Sequence, residues 1–240
     1  MDNSTVDLTD LKAKIIDKLR PSGWANKLKG FLVSSEFDEI LQFLYTQRNL
    51  GKRFTPPVKD LFTAFEKCEY SKLRVVIVAQ DPYTSLGEAD GMSFSCSKTG
   101  KTSALLQYIH DATNKTIENN LRESDRGPDL SYLAEQGVLL LNSALSVEID
   151  KSGTHTKIWR PFMAYLFDML NSMNTNLVFI YIGKKAQDLH DLIDEDRHHK
   201  LYATHPANAA ANNQAEWNSN NVFKDANNLL IEHNKNGIKW

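Results

Sequence analysis

Four short, almost uninterrupted apolar runs constrain this chain most: Arg74–Ala79 (RVVIVA), Val138–Leu141 (VLLL), Leu177–Ile182 (LVFIYI) and Lys200–Ala203 (KLYA). A strand with one wet face alternates apolar and polar residues. A strand that is apolar throughout needs cover on both faces, which is the situation of a parallel sheet between helical layers. Helix-spaced apolar positions lie between and after the runs, at Ala104–Asn120, Asp129–Ala134, Arg160–Ser172 and Ala186–Leu192. This alternation predicts an α/β fold: a single domain with a central, mostly parallel four-stranded sheet flanked by helices on both faces.

The 240 residues suit one domain, and a domain of this length buries about 70–75% of the surface of its unfolded chain. Upstream of the sheet, Leu8, Leu11, Ile15, Ile16 and Leu19 are spaced for a helix that stops before Pro21, and Phe37–Tyr45 is a second helical run. Pro56-Pro57 breaks the chain and Val58–Phe65 restarts a helix. Residues 1–20 read either as a dispensable helical arm or as part of the fold. The Asn/Ala-rich stretch Ala207–Asn228 is too mixed in composition to assign to disorder.

Composition excludes several classes. Cys68 and Cys96, the only cysteines, form neither a disulfide framework nor a metal-ligand pattern and suit reduced thiols inside a cell. There is no long apolar run for a membrane span, and the polar start MDNSTVDLTDLKAK is unlike a secretory signal. An intracellular location is expected, cytoplasmic in a prokaryotic or viral setting and nuclear in another. A net charge of −2 does not mark a nucleic-acid binder, so any such role needs a local basic face. No phosphate-loop, dinucleotide or hydrolase-elbow motif occurs, no metal site is expected, and His198-His199 reads as a surface pair.

Ligands of open α/β sheets bind outside the carboxyl ends of the strands. The residues that follow the four runs are Gln80-Asp81-Pro82-Tyr83, Asn142-Ser143, Gly183-Lys184-Lys185 and Thr204-His205-Pro206. Singly, each has an ordinary explanation: Asp81 as a cap, Asn142 as a turn amide, His205 as a core histidine, Tyr83 and Phe94 as core aromatics. Together they bring a carboxylate, an amide, an imidazole and an aromatic ring to one edge, and Pro82 restricts the backbone that aims Asp81.

These segments, AQDPY (79–83), GMSFS (91–95), GVLLLN ending at Asn142, and His205-Pro206, resemble the family 1 uracil-DNA glycosylases. The likeness extends to PPVKDLFTAF (56–65), GKKAQ (183–187) and NGIKW (236–240), and so covers nearly all of the chain from Trp24. It implies hydrolytic excision of uracil from DNA after base flipping, without a cofactor, by a monomer acting on single- or double-stranded DNA. Asp81 would stabilise the cationic sugar and orient water, and a neutral His205 would donate to uracil O2. Gln80, Tyr83, Phe94 and Asn142 would bind the base. Asn142 would read its O4 and N3–H edge, Tyr83 would exclude a C5 methyl, and Phe94 would stack. Pro82, Ser103, Pro206, Ala207 and Ala209 would contact DNA, with Ser103 gripping phosphate at a helix start; Lys184 and Lys185 read first as a solvated surface pair and only second as added charge for DNA.

Departures from the family pattern are Ala79, Thr84 and the loop Ala207-Asn208-Ala209-Ala210, in which Ala209 stands where the family carries a leucine wedge. An alanine methyl cannot fill the gap left by a flipped base, so weaker action on duplex than on single strands is expected unless Trp217 or Asn212 supplies the wedge. Two other readings stay open: a glycosylase for a modified pyrimidine in viral DNA, and a protein of this fold that chiefly binds DNA or a replication partner. The residues identify neither a protein inhibitor nor a replication partner.

Overall fold

The computed structural model describes residues 8–116 and 127–240. The expected helix from Ala104 is present as α5 (Ala104–Thr116), and its continuation to Asn120 lies outside the described residues.

Three helices lead the chain: α1 (Thr9–Leu19), α2 (Trp24–Leu32) and α3 (Ser35–Asn49). Gly23, in the left-handed region, separates the first two. Ser34 caps α3 by accepting the Phe37 N–H, with Glu36 and Asp38 in the first turn beside the helix's positive end. Ile15 and Leu19 of α1 are buried in the common core, so α1 packs against the rest of the described chain. The stretch from Val58 divides into a single 3-10 turn and the short α4 (Thr63–Lys67). A two-residue antiparallel pair, β1 (Phe54–Thr55) with β4 (Val147–Glu148), is too short to show as a sequence pattern.

The main sheet holds β2 (Val75–Ala79), β3 (Val138–Asn142), β5 (Val178–Ile182) and β6 (His199–Ala203), all parallel, in the order β3-β2-β5-β6. Every residue of β2, β3 and β5 is buried, as their apolar runs require, and only β6, at an edge, is partly open. On one face Ile77, Leu140 and Ile182 meet Ile109 of α5, Phe223 of α10 (Val222–Glu232) and Trp240. On the other, Phe179 packs edge-on against Phe167 of α7 (Thr156–Met173), with ring centroids 5.8 Å apart. Short α6 (Ser131–Ala134), α8 (Lys184–Gln187) and α9 (Pro206–Ala211) complete the helices among the described residues. Because β3 lies on one side of β2 and β5 on the other, the connections diverge between β2 and β5, and a crevice opens at their carboxyl ends.

One expectation needs correction. The His198-His199 pair is not on the surface: His198 is buried against Phe179, its Nδ1 accepts the Leu177 N–H, and burial lowers its pKa to about 4. His199 turns the other way, its Nε2 2.8 Å from Nε2 of His233. The Asn/Ala-rich stretch, which its composition did not assign to disorder, folds as α9, a loop and α10, pinned by buried Trp217 and Phe223. Cys68 and Cys96 are free and buried, and burial pushes the Cys68 thiol up to about 12. Among the described residues no helix is long and apolar enough to cross a membrane.

Integration of α1 is testable. Leu19→Ala is expected to cost about 2–5 kcal/mol of stability, read as a lower urea midpoint at unchanged slope. A midpoint like that of the parent would mean that α1 is a loose arm.

Candidate active site

A cleft of about 580 Å³ opens over the carboxyl ends of β2, β5 and β6, and Asp81, Tyr83, Phe94, Ser152, Gly183 and His205 are among its lining residues. Its size suits a nucleotide-sized ligand. A second cavity of about 390 Å³ adjoins it, sharing Gln80 and Lys185.

Asp81 follows β2 directly, with Pro82 buried behind it. Its Oδ2 accepts the Ser152 hydroxyl at 2.6 Å and the Gly153 N–H at 2.7 Å. Its Oδ1 is buried without a hydrogen-bond partner among the described residues. Burial raises the pKa of Asp81, while the Ser152, Gly153 and Gln80 hydrogen bonds oppose that shift. The result is a carboxylate with one oxygen anchored and one uncommitted.

His205 follows β6 and is the N-cap of α9. Its Nδ1 accepts the Ala207 N–H at 3.2 Å, with Pro206 at the first helical position. A nitrogen that accepts an N–H carries no proton, so the neutral ring is protonated at Nε2 and is a donor there. Burial lowers the imidazole pKa, which keeps it neutral. Gly183, at φ +89°, makes room for it: a Cβ there would stand 3.0 Å from His205 Cβ and 3.1 Å from its Cδ2.

The aromatic wall is held by polar contacts. Tyr83 donates its hydroxyl to the Phe94 carbonyl at 2.9 Å and takes a hydrogen bond from Ser103 at 2.5 Å. The Ser103 oxygen also accepts the Leu106 N–H, capping α5. Its hydroxyl is thus engaged in fixing Tyr83 and the helix start, a positioning duty that the expected phosphate grip would have to displace. Phe94 sits at φ 63°, its ring tilted 41° to that of His205 with centroids 6.0 Å apart. Buried Asp90 supports this turn by accepting from Met92 N, Ser95 Oγ, Ser97 N and Ser97 Oγ. Gly91 is obligatory next to it, since a Cβ there would lie 1.9 Å from the Asp60 carbonyl oxygen.

Asn142 ends β3 in register with Ala79, is 3% exposed, and lies outside the residues that line the cleft. Its Oδ1 is a buried acceptor without a partner among the described residues, a costly arrangement that a ligand N–H would relieve. Gln80 turns its amide away toward Ser152, donating at 3.1 Å, and its backbone carbonyl takes the Ser143 hydroxyl.

The expected DNA contacts are only partly available. Pro82, Pro206 and Ala209 are buried, because Pro82 backs the Asp81 turn and α9 packs onto α5 with Pro206 and Ala209 inward. Ala209 therefore cannot reach between bases. Neither can Trp217, which is 6% exposed and donates to Thr204 O and Oγ1. Ala207 borders the cleft, and Asn208, Ala210 and Asn212 are exposed. Lys184 and Lys185 are exposed on the rim, the latter 3.7 Å from Asp188.

Sequence reading missed Ser152 and Gly153, whose approach to Asp81 depends on the loop after β4, and Asp90, which looked like any polar turn residue. A DG pair before an aromatic residue was the one available signal for Asp90.

A half-open carboxylate, a neutral imidazole and two aromatic rings share one cleft at the switch point of a parallel α/β sheet, an arrangement suited to polarising a bond on a flat, ring-shaped ligand. The family model of the Uracil DNA glycosylase superfamily matches residues 65–231. A uracil-DNA glycosylase of Acinetobacter baylyi is 36% identical over 98% of both chains, and one of Vibrio campbellii is 34% identical over 86% of this chain and 90% of its own. A variant of mimivirus UNG, solved in complex with UGI, superposes with a TM-score of 0.79 at 25% identity, covering 94% of this chain and 90% of its own. The chain belongs to the uracil-DNA glycosylase superfamily.

The state of His205 is directly measurable. Its ring resonances should titrate with a midpoint below 6.5 and show the Nε2–H tautomer at pH 7. A midpoint at or above 6.5 would contradict the burial described here.

Proposed function

We propose that this protein hydrolyses the bond between uracil and deoxyribose in DNA, with Asp81 and His205 as its reacting pair. The observation that carries this reading is the pairing, in one cleft, of an ionisable carboxylate with an uncommitted oxygen and an imidazole forced to present Nε2–H.

Cleavage leaves positive charge on the sugar and negative charge on the base. Asp81 Oδ1 faces the sugar, stabilises its cationic character and orients water. His205 Nε2–H donates to uracil O2 as charge builds there. Preorganised groups of this kind are commonly worth ~3–4 kcal/mol each. Tyr83, locked by Phe94 and Ser103, stands where a thymine methyl would enter, and Phe94 stacks on the base. Asn142 supplies the unpaired Oδ1 to N3–H and its amide to O4. Cytosine reverses that pattern and would leave both polar groups unmatched. The base reaches the cleft by leaving the helix, at a cost of a few kcal/mol. The chemistry needs only groups on the chain itself, and the protein acts as a monomer on DNA.

With chelator present, oligonucleotides holding uracil, thymine, 5-hydroxymethyluracil or cytosine should yield alkali-labile sites at uracil alone. Cleavage at the modified base, or a shift of uncut DNA without cleavage, would overturn the assignment. Activity requires Asp81 ionised and His205 neutral. The Asp81 pKa is raised above 3.8 and that of His205 lowered below 6.5, so turnover should be flat near neutrality and fall on the acid side, below about pH 6.5. Since α9 offers no bulky side chain toward DNA, single-stranded uracil substrates should be cut faster than duplex ones. Equal rates would show that another residue fills the gap.

A further inference from the structure

We propose that Ser152 is a positioning residue for the reaction: with Gln80 it forms a relay that fixes the Asp81 carboxylate so that only Oδ1 meets the substrate. The proposal rests on the uracil-excision reading of the cleft and adds a group from a loop that the shared motifs do not include.

Three contacts define the relay. Gln80 Nε2 donates to Ser152 Oγ at 3.1 Å, Ser152 Oγ donates to Asp81 Oδ2 at 2.6 Å, and the Gly153 N–H meets the same Oδ2 at 2.7 Å. The polarity runs one way: an amide N–H can only donate, so the serine proton is directed onto the carboxylate. Both donors converge on one oxygen, which leaves the other without a partner. A carboxylate at the end of a side chain with two rotatable bonds would otherwise sample several orientations. Two charge-assisted hydrogen bonds on one oxygen select a single orientation.

Ser152 sits between β4 and α7, is exposed, and lines the cleft beside Asp81. Its neighbours explain its reliability. Lys151 is paired with Glu148, and Thr154 Oγ1 accepts the Glu148 N–H and donates to the Lys151 carbonyl, so both flanks of the loop are tied down. The hydroxyl also favours the ionised form of Asp81 against the burial that opposes it. Removing it should therefore act in two ways: the carboxylate loses its orientation, and it holds its proton to higher pH.

The test is steady-state and single-turnover excision from a uracil oligonucleotide across pH, with the full-length protein, comparing the parent with Ser152→Ala and Ser152→Thr. Loss of one hydrogen bond to a charged group predicts about a tenfold lower kcat at neutral pH. KM should be unchanged, because the base is bound by other residues, and the acid limb should move upward. Ser152→Thr, which keeps a hydroxyl, should restore both rate and acid limb. A Ser152→Ala protein with unchanged kcat and acid limb would overturn the proposal. So would a loss of rate that Ser152→Thr does not restore, since a merely structural loop would do that. Melting temperatures of the two variants identify any unfolding, and Ser152→Thr then decides on its own. If the parent protein releases no uracil, the functional reading fails instead, and that result is distinct from parental activity that is indifferent to position 152.

Discussion

A parallel sheet buried on both faces has nowhere to put polar side chains except at its ends, and this constraint organises the molecule. Five consecutive buried residues in each of β2, β3 and β5 leave the first polar group of each connection stranded at the carboxyl edge. The parallel register aligns those exits, so Ala79 stands beside Asn142 and Ile182 beside Ala203, and Asp81, Gly183 and His205 emerge at one level. The helical layers supply the burial that makes the strands apolar. The site is the place where that burial stops.

At the edge itself, each group is shaped by a neighbour that limits what it can do. Burial opposes charge on Asp81 and on His205, with opposite chemical results: the carboxylate needs hydrogen-bond donors to remain ionised, whereas the imidazole becomes a neutral donor without help. Tyr83 is held at both ends of its hydrogen-bonding capacity, so its ring is a wall rather than a reactant, and burial pushes its phenol pKa further up. Asn142, like Asp81, is left with an unmet acceptor among the described residues, and an unmet buried acceptor penalises the empty site more than the filled one.

Much of this was legible in the sequence because it depends on local patterning. The four apolar runs appear as four parallel strands within one or two residues, and the residues read from their ends line or adjoin one cleft. What escaped the sequence depended on tertiary packing. Position 209 was judged by alignment to a wedge, but a short helix whose inward face rests on α5 buries that residue. Trp217 was an alternative for the wedge, yet it is buried and its indole N–H is spent on Thr204. His198 looked polar and lies against Phe179. Ser152 is distant in the chain from Asp81, and no periodicity links residues 71 apart.

The capping role of His205 has a wider consequence. The nitrogen that closes the first turn of α9 also settles which tautomer the ring adopts, so the integrity of that turn and the direction of the ring's proton form one degree of freedom. Distortion of residues 206–211 would unmask Nδ1 and let the ring exchange tautomers. The first turn of α9 is thereby mechanically geared to the proton inventory of the site, and loosening one cannot leave the other untouched.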